Sequence, residues 1–231
     1  MKRTKLLALL AGLILLAAFA GAQTIFDAVK NNDLAAAKAI LDKDPSLVRS
    51  KDASGNTPLH AASIAGSVPM AEWLLSKGAE IDADNTASKT PLHEAIQNKH
   101  DDVALLLIDK GADIEKGPGA LHLAAMRNRR AVAERLIDKG ANIEKKRGEF
   151  TPLGSIARMG GEFDVFELLI QKGANYNLRD SLGSTVLDNA VLYGAERGAR
   201  SFPMIDLLLD RSAEVNTNPE SLRMTMSTAA R

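Results

Sequence analysis

Thr57-Pro58-Leu59-His60 and Thr90-Pro91-Leu92-His93 stand 33 residues apart, and that interval decides the fold. Weaker echoes follow at Gly119-Ala120-Leu121-His122, Thr151-Pro152-Leu153-Gly154 and Thr185-Val186-Leu187-Asp188. A second string keeps the same step. Lys77-Gly78-Ala79, Lys110-Gly111-Ala112, Lys139-Gly140-Ala141 and Lys172-Gly173-Ala174 recur at 33, 29 and 33 residues, and a degenerate Arg211-Ser212-Ala213 follows after 39. Two markers in one register describe a tandem array of small units.

Each period reads as a pair of helices. Threonine offers a hydroxyl N-cap, and the following proline sits in the first turn, where its missing N–H costs nothing. Alanine runs such as Ala61-Ala62 and Ala124-Ala125 let the first helix approach a neighbour closely. A turn near Gly66, Lys99, Asn128, Gly161 or Gly194 then reverses the chain. The second helix carries the larger apolar load, as in Val103 to Ile108 and Val165 to Ile170, and ends at Lys-Gly-Ala. There glycine serves as the C-cap and the lysine lies near the negative helix end. At about ten residues, each helix is shorter than the ~12–15 that persist alone in water, so stability must come from stacking. Segment 25–43, with Phe26, Ala28, Val29, Leu34, Ile40 and Leu41, supplies a truncated first pair without the marker string. The expected fold is an all-α solenoid of six stacked helix pairs joined by short β-hairpin-like loops.

This pattern resembles the ankyrin repeat, with its 33-residue period and T-P-L-H-x-A string, over about residues 24–216. The resemblance implies that the histidine is structural, hydrogen-bonding between adjacent units. It departs from the family pattern twice. The loop before Gly119 is four residues short, which predicts a stunted finger, and the last unit holds six extra residues, placed at Ala195–Phe202 as an exposed loop between its helices.

The family resemblance also implies where binding occurs: at the hairpin tips and on the concave face of the first helices. Carried over position by position, that selects Lys89, Gln97, Asn98, Met126, Arg127, Arg147, Phe150, Arg158, Met159 and Tyr193. Arg, Phe, Met and Tyr are enriched at protein interfaces, and arginine grips a carboxylate bidentately. These types gather in units four to six. Nearby Arg129, Arg130, Lys145 and Lys146 either add positive potential toward an acidic partner segment or form a solvated face.

Lys2, Arg3 and Lys5 precede an apolar run, Leu6 to Ala22, that ends in Ala20-Gly21-Ala22. That is the pattern of a secretory signal peptide cleaved after Ala22, with a retained anchor as the alternative. The domains are then a leader at 1–22, a repeat domain at 23–216 and a terminal cap or disordered tail at 217–231. Localisation is expected to be periplasmic or secreted. Across all 231 residues, Lys and Arg number 29 and so do Asp and Glu; without the leader, 26 cations face 29 anions, a net charge of −3. No charge imbalance points to nucleic acid. No later stretch could span a membrane. The chain has no cysteine, so packing alone must stabilise it.

Enzyme signatures are missing. His60, His93 and His122 recur one unit apart, about 8–10 Å in stacked helices, too far to share one zinc. Asp82-Ala83-Asp84-Asn85 has clustered oxygens, yet Ala87 replaces the required glycine and no glutamate closes the loop. Gly117-Pro118-Gly119 follows no strand and brings no phosphate-binding lysine. Trp73 reads as a core residue. The expectation is a monomeric, non-catalytic protein-binding module without cofactor or metal. A scaffolding or stress-protective envelope protein, or an enzyme with an unrecognised site, are the alternatives.

Overall fold

A computed structural model describes residues 23–159, 162–197 and 202–213. Twelve α-helices lie within them as six pairs. In chain order the pairs are α1 (Ile25–Lys30) with α2 (Leu34–Lys43), α3 (Pro58–Ala65) with α4 (Val68–Ser76), and α5 (Pro91–Gln97) with α6 (Asp101–Asp109). They continue as α7 (Ala120–Met126) with α8 (Arg130–Asp138), α9 (Pro152–Met159) with α10 (Phe163–Gln171), and α11 (Val186–Arg197) with α12 (Phe202–Asp210). A 3-10 turn, Pro45–Arg49, follows α2.

The contacts are those of a linear stack. The odd-numbered helices touch in order from α1 to α11, and the even-numbered helices from α4 to α12 touch in a second row. Between the rows lies one continuous core containing Leu59, Leu74, Leu92, Leu107, Leu136, Leu153, Ile156, Phe166, Leu169 and Leu208. Trp73 is half-buried and packs against it, as the sequence led us to expect.

The repeated strings are helix ends. Thr57 N–H donates to His60 Nδ1 at 3.1 Å, while the His60 N–H donates to Thr57 Oγ1 at 3.4 Å, a reciprocal cap. Unit six makes the same cap with aspartate: Thr185 N–H to Asp188 Oδ2 is 2.8 Å, and the return bond is 3.2 Å. Unit one also has it, through Thr24 and Asp27, although no marker string announces it.

At Lys-Gly-Ala the lysine is the C-cap, and the glycine follows one position later at positive φ, a refinement of the sequence reading. Gly78 N–H bonds to the Leu75 carbonyl and Ala79 N–H to that of Leu74. This is a Schellman motif, which needs a left-handed residue between lysine and alanine. Units three to five repeat it. In the last unit Ser212 takes the left-handed conformation at φ 56° and completes the same pair of bonds.

Fingers separate the pairs. Asp52 N–H bonds to the Asn56 carbonyl, Asn85 N–H to that of Lys89, Arg147 N–H to that of Phe150 and Asp180 N–H to that of Ser184, closing four of them. The segment between α6 and α7 has no such closure among the described residues, in keeping with its missing four residues.

Two expectations change at the last unit. Gly194 does not turn the chain; α11 runs through it to Arg197 and so reaches 12 residues, against 8 in α9. The extra residues therefore go largely into lengthening a helix rather than into a loop that begins at Ala195. Residues 198–201 of that expected loop, the turn at Gly161, the leader at 1–22 and the tail at 217–231 lie outside the described residues.

Candidate functional site

The three histidines are used as inter-unit ties. In His60, Nδ1 accepts from Thr57 N–H, so the proton sits on Nε2, which donates to the Lys89 carbonyl of the next unit at 3.0 Å. His122 Nε2 donates likewise to Phe150 O at 2.9 Å. Burial pushes the pKa of both rings down. His93 caps Thr90 in the same manner, yet its buried Nε2 has no partner among the described residues. The shortened finger is the cause: Gly117 lies against the ring where the longer fingers bring a carbonyl. Burial, then the positive charges of Lys89 and Arg147, lower the His93 pKa to about 4. Among the described residues no group of three His, Asp or Glu gathers to hold a metal.

The ten candidate residues form three groups. In the first, Lys89 Nζ donates to Gln97 Oε1 at 2.5 Å and lies 3.6 Å from Glu94, whose backbone carbonyl accepts from Asn98 Nδ2 at 2.8 Å. Glu94, only 7% exposed, also accepts from Asn85 Nδ2, so these N-terminal candidates are committed to one another. Sequence reasoning missed the buried Glu94, although a carboxylate inside an otherwise apolar first helix is itself a signal.

In the second group, Met126, Arg127 and Met159 line an open groove of about 430 Å³ that runs past the ends of α5, α7 and α9. Lys99, Asn128, Arg129 and Glu162 complete the lining. Met159 is 55% exposed, an unusual display of an apolar side chain. Arg127 is exposed, and its side chain has no ion pair or hydrogen bond among the described residues.

The third group is a cluster of rings around a cation. The Arg158 guanidinium carbon stands 4.7 Å from the Phe150 ring centroid and 5.1 Å from that of Tyr193, over both rings. Phe150 ends a finger, Arg158 lies in the last turn of α9, and Tyr193 belongs to α11 of the next unit. Stacking of units brings together residues 43 positions apart in the chain. Arg147 stays close, because its backbone pairs with Phe150 in an isolated antiparallel bridge.

Most of the neighbouring cations contribute less than their charge suggests. Arg129 holds Asp101 bidentately at 2.7 and 2.6 Å. Arg130 bonds to the Asp164 carbonyl at 2.6 Å and faces Glu167 at 3.9 Å. Lys145 grips Glu115 at 2.6 Å, and against the effect of burial that hydrogen bond helps hold the Glu115 pKa down. These pairs tie one unit to the next. Lys146 is exposed and has no such partner among the described residues.

Among the described residues no helix is long and apolar enough to cross a membrane. The family model described as "Ankyrin repeats (3 copies)" matches twice, at residues 25–117 and 121–219. The chain is 31% identical over 132 residues to ankyrin repeat and SOCS box protein 11 of Danio rerio, covering 57% of this chain and 35% of that protein. It is 33% identical over 106 residues to a putative ankyrin repeat protein of Rickettsia felis, covering 44% of this chain and 47% of that one. Across the first curated relatives the chain spans between 15% and 47% of their length. Among solved structures it resembles one chain of a complex between a predatory endopeptidase from Bdellovibrio bacteriovorus and an immunity protein. The match has a TM-score of 0.69 and 28% identity, covering 80% of this chain and 97% of that one. With the helix pairs, the reciprocal threonine caps and the family model agreeing over most of its length, the chain belongs to the ankyrin repeat family.

Proposed function

We propose that this chain is a non-catalytic protein-binding module working outside the cytoplasm, in a bacterial periplasm or after release, that binds an acidic segment of its partner on the concave face and fingers of units four to six. The convergence of Phe150, Arg158 and Tyr193 carries this reading. Arginine and aromatic residues dominate binding energies at interfaces. An open groove beside an exposed Met159 suits an extended surface contact better than turnover of a small substrate, which needs an enclosed pocket. Reversing the charge at Arg127 and Arg158 together should abolish capture of the partner in a pull-down from the cell envelope; undiminished capture would discard this face. The basic and then apolar leader supports export. Sequencing the amino terminus of the exported product should find Gln23 first.

A second reading is favoured by one comparison: the structure it resembles joins an endopeptidase to an immunity protein. On that reading the chain shields its own cell from an exported enzyme. Added to envelope endopeptidases from the same cell, it should lower their activity in proportion to dose. Unchanged activity at saturating chain would rule the protective role out.

A further inference from the structure

Resting on the binding reading above, we propose that Arg158 is a preorganised carboxylate receptor, which takes one aspartate or glutamate side chain of the partner.

Between residues 49 and 179 the sequence holds eight arginines. Five of them donate to an oxygen. Arg49 reaches the Gly78 carbonyl, Arg179 that of Gly183, Arg130 that of Asp164, and Arg129 and Arg135 hold Asp101 and Asp109. Within this stretch Arg127, Arg147 and Arg158 have no oxygen acceptor among the described residues, and all three lie in units four and five, while outside it exposed Arg211 has none either. Four of the five paired arginines join one unit to the next, whereas Arg127, Arg147 and Arg158 stand unpaired together on one stretch of the binding face.

Arg158 differs from the other two. It is half-buried, and two rings hold it in place at 4.7 and 5.1 Å. A guanidinium carries five N–H donors in a fixed plane, and ring faces accept its charge without accepting those donors in line. The rings thus remove water and rotameric freedom from the group while leaving its hydrogen bonds unmade. Both effects favour a ligand that supplies two coplanar oxygens and a negative charge. A backbone carbonyl supplies one oxygen and no charge. A phosphate would fit the fork, but the partner is a protein, whose ordinary anions are carboxylates. Exposed Met159, next in sequence, offers apolar contact to a residue flanking the acidic one. Exposed Arg147 and Lys146, on the finger that ends in Phe150, provide potential for further acidic residues.

The test is selection of random peptides displayed on phage against the immobilised full chain, followed by affinity measurement with synthetic peptides. The enriched peptides are expected to carry aspartate or glutamate, and changing that residue to asparagine or glutamine should weaken binding about tenfold or more. This change leaves the fold of the chain untouched. Arg158→Lys keeps the charge and loses the planar fork, and it too should weaken binding about tenfold. Acidic and amide peptides binding equally, or Arg158→Lys binding as the natural chain does, would overturn the receptor while leaving the protein-binding reading in place. No enrichment of any peptide would count against both.

Discussion

Gly117 packs against His93 so closely that a Cβ on the glycine would lie 2.9 Å from Cε1 of the ring. The same Cβ would stand 2.9 Å from the Ser88 carbonyl oxygen, and the residue has a φ of +71°. The unit with the short finger is thus closed by a bare backbone where its neighbours are closed by a hydrogen bond.

Gly117→Ala and Gly78→Ala separate the two demands on glycine. Gly78 has positive φ but nothing within 4 Å of its would-be Cβ, so its substitution should cost about 1–2 kcal/mol for the left-handed backbone alone. Gly117→Ala should cost at least about 1 kcal/mol more, because two contacts must also give way. Equal losses in urea unfolding would show that the His93 contact is slack.

Acid should destabilise the array before its carboxylates titrate. His93 has a folded pKa of about 4 against an ordinary 6.5, and burial also lowers those of His60 and His122. Because the folded state holds these rings neutral, the unfolded chain binds more protons below pH 6.5. The stability His93 contributes is complete above that pH and is lost progressively down to about pH 4, and His60 and His122 act in the same direction. Melting temperatures taken from pH 7.5 to 4 should fall across that window, and His93→Gln should flatten the fall. A curve identical in the variant would remove His93 as a contributor.

Leu92 is fully buried between stacked pairs. Leu92→Ala should destabilise the chain by about 2–5 kcal/mol, the cost of lost burial and a residual cavity. A loss below about half a kcal/mol in denaturant titration, the scale of a surface change, would contradict the stacking register.

Arg129 and Asp101 form a bidentate pair between units three and four, each side chain one-quarter exposed. Arg129→Ala should cost about 1 kcal/mol, and salt should shrink the difference. Loss of partner capture with stability intact would instead make Arg129 a binding residue.

The recurring helix ends were readable because each is local chemistry: Thr and His three residues apart, or Lys-Gly-Ala after an apolar run, dictates a cap whatever surrounds it. The contacts between units were less accessible. Arg129 with Asp101, Lys145 with Glu115 and Arg158 with Tyr193 are separated by 28 to 35 residues, and one period of spacing does not say which neighbouring charge a flexible side chain will choose. Gly194 misled for a related reason. Glycine in a helix costs only about 1 kcal/mol relative to alanine, so α11 tolerates it when the surrounding residues favour continuing. The orphaned His93 Nε2 could have been foreseen by setting the four missing finger residues beside the histidine that normally donates to that finger.

Hydrogen exchange, measured on the full chain alone and with the protein it captures, tests the binding face most directly. The expected result is slowed exchange in peptides covering 147–159 and 186–193, with no change at 34–43. Slowing confined to the first two units, or none anywhere under saturation, would contradict the account.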